Sequence, residues 1–388
     1  MSDMSEELSK KYKKAAKIIN RSGMLPFPIS DTFIKILRVI LDEEDIDFIL
    51  NFNKKISLSM DQLKEATGLS EEEITRLGSK VAKKGFMMDQ PSSSGILIFR
   101  VMPIIMIGAF EYTYMKEIKD GVEKEKAMEL AGLYKVLLKE LREGMQSQYD
   151  SVMPKFKKMP PFDRTVRLEN NLDGTPIEIK IDEKLEDVGE KIVPAQTVKE
   201  IIEKFDEIAV GNCFCRHYHV MLGGKCETDA PMVNCFTFGK SAKHVVKQGF
   251  AKMISKDEAL KILQEAEDAG LVHKTFHNKS DIYNIENSIC NCCKDCCDTF
   301  QLWRMGAIPL VNSTNYLSNI DEEKCTGCET CVDRCPVDAI SLNDDGKAEV
   351  TPEYCIGCGV CAHFCPENAI SLKEGLRDVF VLPPRLRT

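Results

Sequence analysis

Residues 325–336 read CTGCETCVDRCP and residues 355–366 read CIGCGVCAHFCP. Both are one pattern, C-x-x-C-x-x-C-x-x-x-C-P, with thiols at Cys325, Cys328, Cys331 and Cys335 and again at Cys355, Cys358, Cys361 and Cys365. Pro336 and Pro366 close the two copies, and Ala339-Ile340-Ser341-Leu342 returns thirty residues on as Ala369-Ile370-Ser371-Leu372, so the segment is a duplicated module. Two-residue gaps put three thiolates round one corner of a metal–sulfur centre, while the chain turns the fourth away toward the other centre.

On these motifs, residues 315–375 resemble a bacterial-type two-cluster ferredoxin. The resemblance covers about a sixth of the chain, and no position departs from the pattern. It implies one 4Fe-4S cluster on Cys325, Cys328, Cys331 and Cys365, and a second on Cys355, Cys358, Cys361 and Cys335. Zinc sites rarely need two interlocked four-cysteine runs, and disulfide frameworks belong to secreted chains, so both alternatives carry less weight.

A length of 388 residues accommodates two to four domains. Met1 to Lys14 is charged and lacks the apolar core of a signal peptide, which leads us to expect a reducing cytoplasm and cysteines that serve as ligands or thiols. The longest apolar stretch, Ile96 to Phe110, is interrupted by Arg100 and Pro103 and is too short to span a bilayer. The net charge is -9, and residues 321–388 hold seven basic against thirteen acidic side chains. Such a balance argues against a general nucleic-acid binder and favours electropositive redox partner proteins, although acidity also simply keeps a protein soluble.

Upstream, Phe33, Leu37, Ile40 and Leu41 form one apolar face, and Leu63, Ala66 and Leu69 suggest a second helix. Ser70 and Glu73 have capping-box spacing, predicting a helix from about 71 to Lys84 that stops at Gly85. Phe86–Asp89 and Ile96–Val101 read as two strands joined through Pro91–Gly95. Helices followed by such a hairpin make a winged-helix pattern. Its third helix, however, leads with Glu71, Glu72 and Glu73, which phosphates would repel, leaving Arg76, Lys80, Lys83 and Lys84 to touch a backbone from the other end. Lys116 to Gly144 has helical periodicity, Pro154 to Phe162 reads as a linker, and 176–193 as a short strand and charged loop. The expected architecture is α+β: a winged-helix-like domain (1–115), a helical connector (116–165), a cysteine-rich metal-binding domain (166–312) and a two-cluster ferredoxin domain (313–388).

Nine further cysteines, Cys213, Cys215, Cys226, Cys235, Cys290, Cys292, Cys293, Cys296 and Cys297, crowd the third of these segments. Neighbours such as Cys292 and Cys293 point apart and would not fill one core, so metal binding is the economical explanation. Nine thiols furnish up to two four-thiolate sites with one left over, and spacing does not choose among them. The helix predicted after Ser255 would fold the second group back onto the first. The two runs resemble a cysteine-rich segment found beside dicluster ferredoxin modules in iron-sulfur proteins of anaerobes. A further iron-sulfur cluster is favoured over zinc, because the two ferredoxin clusters need a terminus and no dinucleotide loop or haem motif offers another. Arg216, His217 and His219 follow the first pair as candidate donors to sulfur or ordinary packing residues.

The leading expectation is an iron-sulfur electron-transfer protein or subunit of oxygen-sensitive metabolism, in contact with redox partners or a larger complex. The alternatives are a cluster-dependent winged-helix transcriptional regulator and a reductase acting on a small molecule at the central site.

Overall fold

The structure is a computed structural model and describes residues 6–25, 27–92, 94–161, 163–180, 197–277 and 286–386. The first part runs α1 (Glu6–Ser22), α2 (Asp31–Ile40), α3 (Glu43–Leu50), β1 (Ser57–Ser59), α4 (Met60–Thr67), α5 (Glu71–Lys83), β2 (Met87–Pro91) and β3 (Leu97–Val101). Ser70 caps α5 by accepting from the Glu73 amide at 3.2 Å, and the Glu73 carboxylate accepts from the Ser70 amide at 3.3 Å. One face of α5, Ile74, Leu77 and Val81, is buried, and the helix stops where Gly85 takes φ 83. The strands form an antiparallel sheet in the order β1-β3-β2.

α6 (Ala109–Met115), α7 (Val122–Ser147) and α8 (Tyr149–Phe156) follow. Their apolar faces share one core with α1, α2 and α3, as Phe110, Tyr134 and Leu137 pack with Phe33 and Leu37. Pro154 lies inside α8, so the stretch expected as linker begins as helix. Burial of Tyr149, Met153 and Phe156 on one side outweighs the break that proline favours.

The remainder comprises β4 (Asp163–Val166), β5 (Ile179–Lys180), α9 (Val198–Glu203), β6 (Ile208–Asn212), α10 (Phe214–Met221), β7 (Val233–Phe238), α11 (Gly239–Lys247), β8 (Lys252–Ile254), α12 (Lys256–Asp268), β9 (Val272–His277), β10 (Glu286–Cys292), α13 (Asp298–Arg304) and β11 (Leu310–Ile320). The chain finishes with α14 (Thr330–Arg334), β12 (Ile340–Leu342), β13 (Ala348–Val350), α15 (Val360–His363) and β14 (Ile370–Val381). Of the stretch 176–193, residues 181–193 lie outside the described residues.

A nine-stranded sheet, β5-β14-β11-β4-β9-β10-β7-β6-β8, runs through both cysteine-bearing regions. β11 enters the first cysteine run, β14 leaves the second, and the two pair antiparallel from Leu310–Val381 to Ile320–Ile370. The duplication is visible in the backbone. Gly327 and Gly357, Glu329 and Gly359, and Asp338 and Asn368 occupy positive φ at equivalent positions. The Asn343–Gly346 turn closes the hairpin β12–β13. Among the described residues, no helix is long and apolar enough to cross a membrane.

Candidate metal centres

The two repeats place their cysteines in two groups of different exposure. Cys325, Cys328, Cys331 and Cys365 line one cavity together with Gly327, Ala348 and Ile370. Cys328 is exposed there, and Cys325 and Cys365 are half-buried. Cys335, Cys355, Cys358 and Cys361 are all buried, in one core with Ile356, Val360 and Tyr316. Backbone amides point at sulfur in both copies: Ala339 N lies 3.2 Å from Cys335 Sγ, and its counterpart Ala369 N lies 3.3 Å from Cys365 Sγ. The Ser318 hydroxyl is 3.1 Å from Cys361 Sγ. Burial pushes the Cys331 thiol up to about 11, whereas contacts with Thr330 lower that of exposed Cys328.

The middle cysteines are gathered by the sheet rather than by α12. The antiparallel register that pairs Ser288 with Thr237 and Ile289 with Phe236 carries Cys290 opposite Cys235. Strand alternation puts Cys292 on the same face as Cys290. On the other side of β7, β6 ends at Asn212 and delivers Cys213 and Cys215 at the start of α10. Cys297 stands at the start of α13. Cys213, Cys215, Cys235, Cys290, Cys292, Cys293 and Cys297 thereby line a second cavity with Phe214, Asn234 and Asn291. Cys226 and Cys296 are set apart from it. Their sulfurs, with those of Cys293 and a carboxylate oxygen of Asp295, lie within 4.8 Å of one another.

Two buried cations flank the thiols. Arg216, 1% exposed, donates to Cys293 Sγ at 3.4 Å and to the Pro231 carbonyl. Burial opposes its charge, but the thiols of Cys213 and Cys293 outweigh that and hold the guanidinium protonated. Lys274, 2% exposed, meets the carboxylate of buried Asp163 at 2.5 Å and sits 5.0 Å from the centre of the Phe300 ring. Burial again opposes its charge, and Asp163 with the neighbouring Cys297 thiol outweighs it. α10 and α13 add the positive ends of their dipoles, since each starts directly after a cavity cysteine. The surroundings therefore suit an anionic, thiolate-bound group.

Asn234 supplies a further observation. It is fully buried, it lines the cavity, and neither its amide nitrogen nor its amide oxygen has a partner among the described residues. Neighbouring Asn291 is satisfied, accepting from His273 Nδ1 at 2.6 Å and donating to the Asn234 carbonyl at 2.6 Å. A buried orphan amide is costly unless something polar meets it, so the cavity fits a cofactor with hydrogen-bonding atoms, such as the sulfurs of an iron-sulfur cluster.

Of the residues weighed from sequence beside Cys213 and Cys215, Arg216 reaches a thiol, whereas His217 turns away to the Tyr114 carbonyl at 2.7 Å. His219 packs under Gly224, which has room for no side chain there. Asn234, Lys274 and Asp295 escaped sequence reasoning. Asp295 carried a local signal, an acidic residue inside the Cys293–Cys297 run, and Asn234 adjoins Cys235. Lys274 carried none, because β9 brings it to the cavity from outside either cysteine group.

The middle centre and the repeat module share packing. Cys292 and Cys297 belong to the same apolar core as Cys331, Cys335, Cys355, Cys358 and Cys361. Trp303 Nε1 donates to the Leu382 carbonyl at 3.0 Å and its ring meets Tyr354 edge-on, anchoring the approach to the repeats. The tail beyond β14 docks on α7 and α8: the Tyr149 hydroxyl donates to the Pro383 carbonyl at 2.7 Å, and Gln146 donates to that of Pro384 at 3.0 Å.

Comparison with known proteins agrees with this module. Residues 318–372 match the family model of the 4Fe-4S dicluster domain. A probable ferredoxin of Methanosarcina thermophila is 56% identical over 34 residues, which are 9% of this chain and 59% of that protein. The C-terminal part of the chain is thus an iron-sulfur, ferredoxin-type module attached to a larger body of mixed helix and sheet.

Proposed function

We propose that the chain is an iron-sulfur electron-transfer protein or subunit that relays electrons between a partner and a cysteine-ligated centre in its middle region. When bound, the clusters supply one-electron carriers whose potentials the protein sets through burial, hydrogen bonds to sulfur and local charge. Cys325, Cys328, Cys331 and Cys365 would hold the outward cluster, and Cys335, Cys355, Cys358 and Cys361 the inner one. Four among Cys213, Cys215, Cys235, Cys290, Cys292 and Cys297 would hold the third.

The observation that carries this reading is the shared core of Cys292 and Cys297 with the repeat cysteines. Buried apolar packing is thus continuous between the middle cavity and the inner thiols. The gradient of exposure gives the relay an order. A partner would meet the face around Cys328, where Glu322, Glu323, Glu329, Asp333 and Glu367 are exposed and favour an electropositive surface. The buried inner group would then communicate with the cavity. In this reading residues 1–115 are a winged-helix-like domain and 116–165 a connector. The functional division behind them falls into the middle centre (166–312) and the ferredoxin domain (313–388), in an oxygen-sensitive cytoplasmic setting.

A regulator that reads DNA finds little support. Three of the four cations at this end are already engaged: Arg76 with Glu44 at 2.6 Å, Lys80 with Asp42 at 2.9 Å and Glu44 at 2.5 Å, and Lys84, just after α5, with the buried Asp45; Lys83 is exposed. Freeing them for phosphates would cost those contacts, so α5 reads as a structural or protein-docking helix.

The test is oxygen-free purification followed by iron and sulfide analysis and electron paramagnetic resonance during stepwise reduction. The proposal expects about twelve irons per chain and three reducible clusters, and serine replacements taken one at a time at Cys213, Cys215, Cys235, Cys290, Cys292 and Cys297 should bring the count to about eight at the four that are ligands. Eight irons in the unaltered protein would remove the middle terminus and with it the relay.

A further inference from the structure

We infer that Cys226, Cys293, Cys296 and Asp295 form a separate, mononuclear site for a thiophilic divalent cation of the zinc class, beside the cysteine cavity and distinct from it. The spacing is that of ligands round one ion. Zinc–sulfur bonds of about 2.3 Å in a tetrahedron put ligand sulfurs about 3.8 Å apart. Cys226 Sγ and Cys293 Sγ are 3.9 Å apart, and Cys296 Sγ lies 3.2 Å from Asp295 Oδ2. Four donor atoms within 4.8 Å of one another leave no space between them for inorganic sulfide, so a single ion fits where a cubane does not.

The surroundings are those of a built ligand set. All three thiols are buried, and they sit in a small apolar core of their own with Ala266 and Leu271. Asp295 is oriented from behind, accepting from the Glu227 amide at 2.6 Å and from the Thr228 hydroxyl at 2.8 Å, the outer contacts that fix a coordinating carboxylate. Three thiolates and a carboxylate carry four negative charges. A divalent ion removes two and Arg216, on Cys293, offsets one more. The soft sulfur donors exclude magnesium and calcium as natural occupants.

The site would clip the segment before β7, which carries Cys226, to the turn between β10 and α13. That turn also delivers Cys292 and Cys297 to the cavity. Cys293 stands in the wall between the two, lining the cavity while completing the neighbouring set. The inference does not depend on what fills the cavity.

Elemental analysis of the full chain, prepared without oxygen, tests it. The unaltered protein should hold about one zinc per chain in addition to its iron. Cys226→Ser should lose that zinc while iron and labile sulfide stay constant. Asp295→Asn should surrender zinc to a chelator at least about tenfold faster. Should Cys226→Ser fail to fold, the fine structure of the zinc absorption edge in the unaltered protein still decides, with three sulfurs and one oxygen expected. Absence of zinc, a four-sulfur shell, or loss of iron and sulfide together from Cys226→Ser would each overturn the assignment. A failed electron relay with the zinc retained would leave it standing.

Discussion

The ammonium of Lys294 donates to the carbonyl oxygen of Asp333 at 2.9 Å, joining the turn that holds the middle cysteines to the helix inside the first repeat. Arg304 reinforces the join: it donates to the Lys294 carbonyl at 2.8 Å and to the carbonyl of Pro336, the residue after Cys335. Asp338 stands within 3.5 Å of Arg304 and 3.6 Å of Lys294. The latch therefore fixes the separation between the cavity and the inner group of repeat thiols.

Arg304→Ala should leave the iron content unchanged, cost about 2 kcal/mol of stability, and slow electron exchange between the middle centre and the repeats. Rapid-freeze electron paramagnetic resonance after a reducing pulse reads that exchange. Unaltered kinetics in a destabilised variant would mean that the latch holds the fold without setting the redox geometry.

The buried pair Lys274–Asp163 makes a second expectation. Removing one member of such a pair strands the other, so Lys274→Met should cost about 3–5 kcal/mol in a urea titration followed by circular dichroism. Combining it with Asp163→Leu should recover most of that loss, because no uncompensated charge then remains. Lys274 also neighbours the Cys297 thiol, so if the proposed middle cluster is present, the double variant should lower its potential even with stability restored. A double variant no more stable than the single one would refute the pairwise account.

The chain announces the repeats and conceals the cavity. The repeat module is legible because its signal is local, set by two-residue gaps and a thirty-residue duplication. The middle site is assembled across strands. Cys235 and Cys290 meet through the β7–β10 register, and that pairing has no signature in spacing along the chain. The helix expected to fold the two cysteine groups together exists as α12, capped by Ser255 and Glu258, but the pairing of β7, which carries Cys235, with β6 and β10 does the joining. Long-range β-pairing likewise hides the sheet that runs from β5 to β8, whereas α5 and its cap were readable from Ser70, Glu73 and the apolar spacing alone.

Backbone constraints in the repeats separate clash from strain. Gly327 has φ 72, and a Cβ there would lie 2.2 Å from the Gly346 carbonyl oxygen. Gly68 has φ 71 with nothing within 4 Å. Gly68→Ala should cost only the conformational penalty, about 1 kcal/mol, and keep full iron. Gly327→Ala should displace the loop carrying Cys325 and Cys328 and lower iron by about four per chain. Equal iron in the two variants would show that the loop accommodates the methyl group.

Asn234 gives the sharpest contrast, because its effect should change sign with the contents of the cavity. After iron removal its amide is buried and unpaired, so Asn234→Leu should be neutral or stabilising, by up to about 3 kcal/mol. With the proposed middle cluster bound, the same amide would donate to its sulfur. Such donors favour the more negative, reduced state, and their removal should lower the midpoint potential of the middle cluster alone, by about 59 mV if the donor is worth a tenfold change in the equilibrium. The two repeat clusters act as internal controls in the same titration. Equal shifts in all three, or none in the middle one, would mean that Asn234 does not face the bound group.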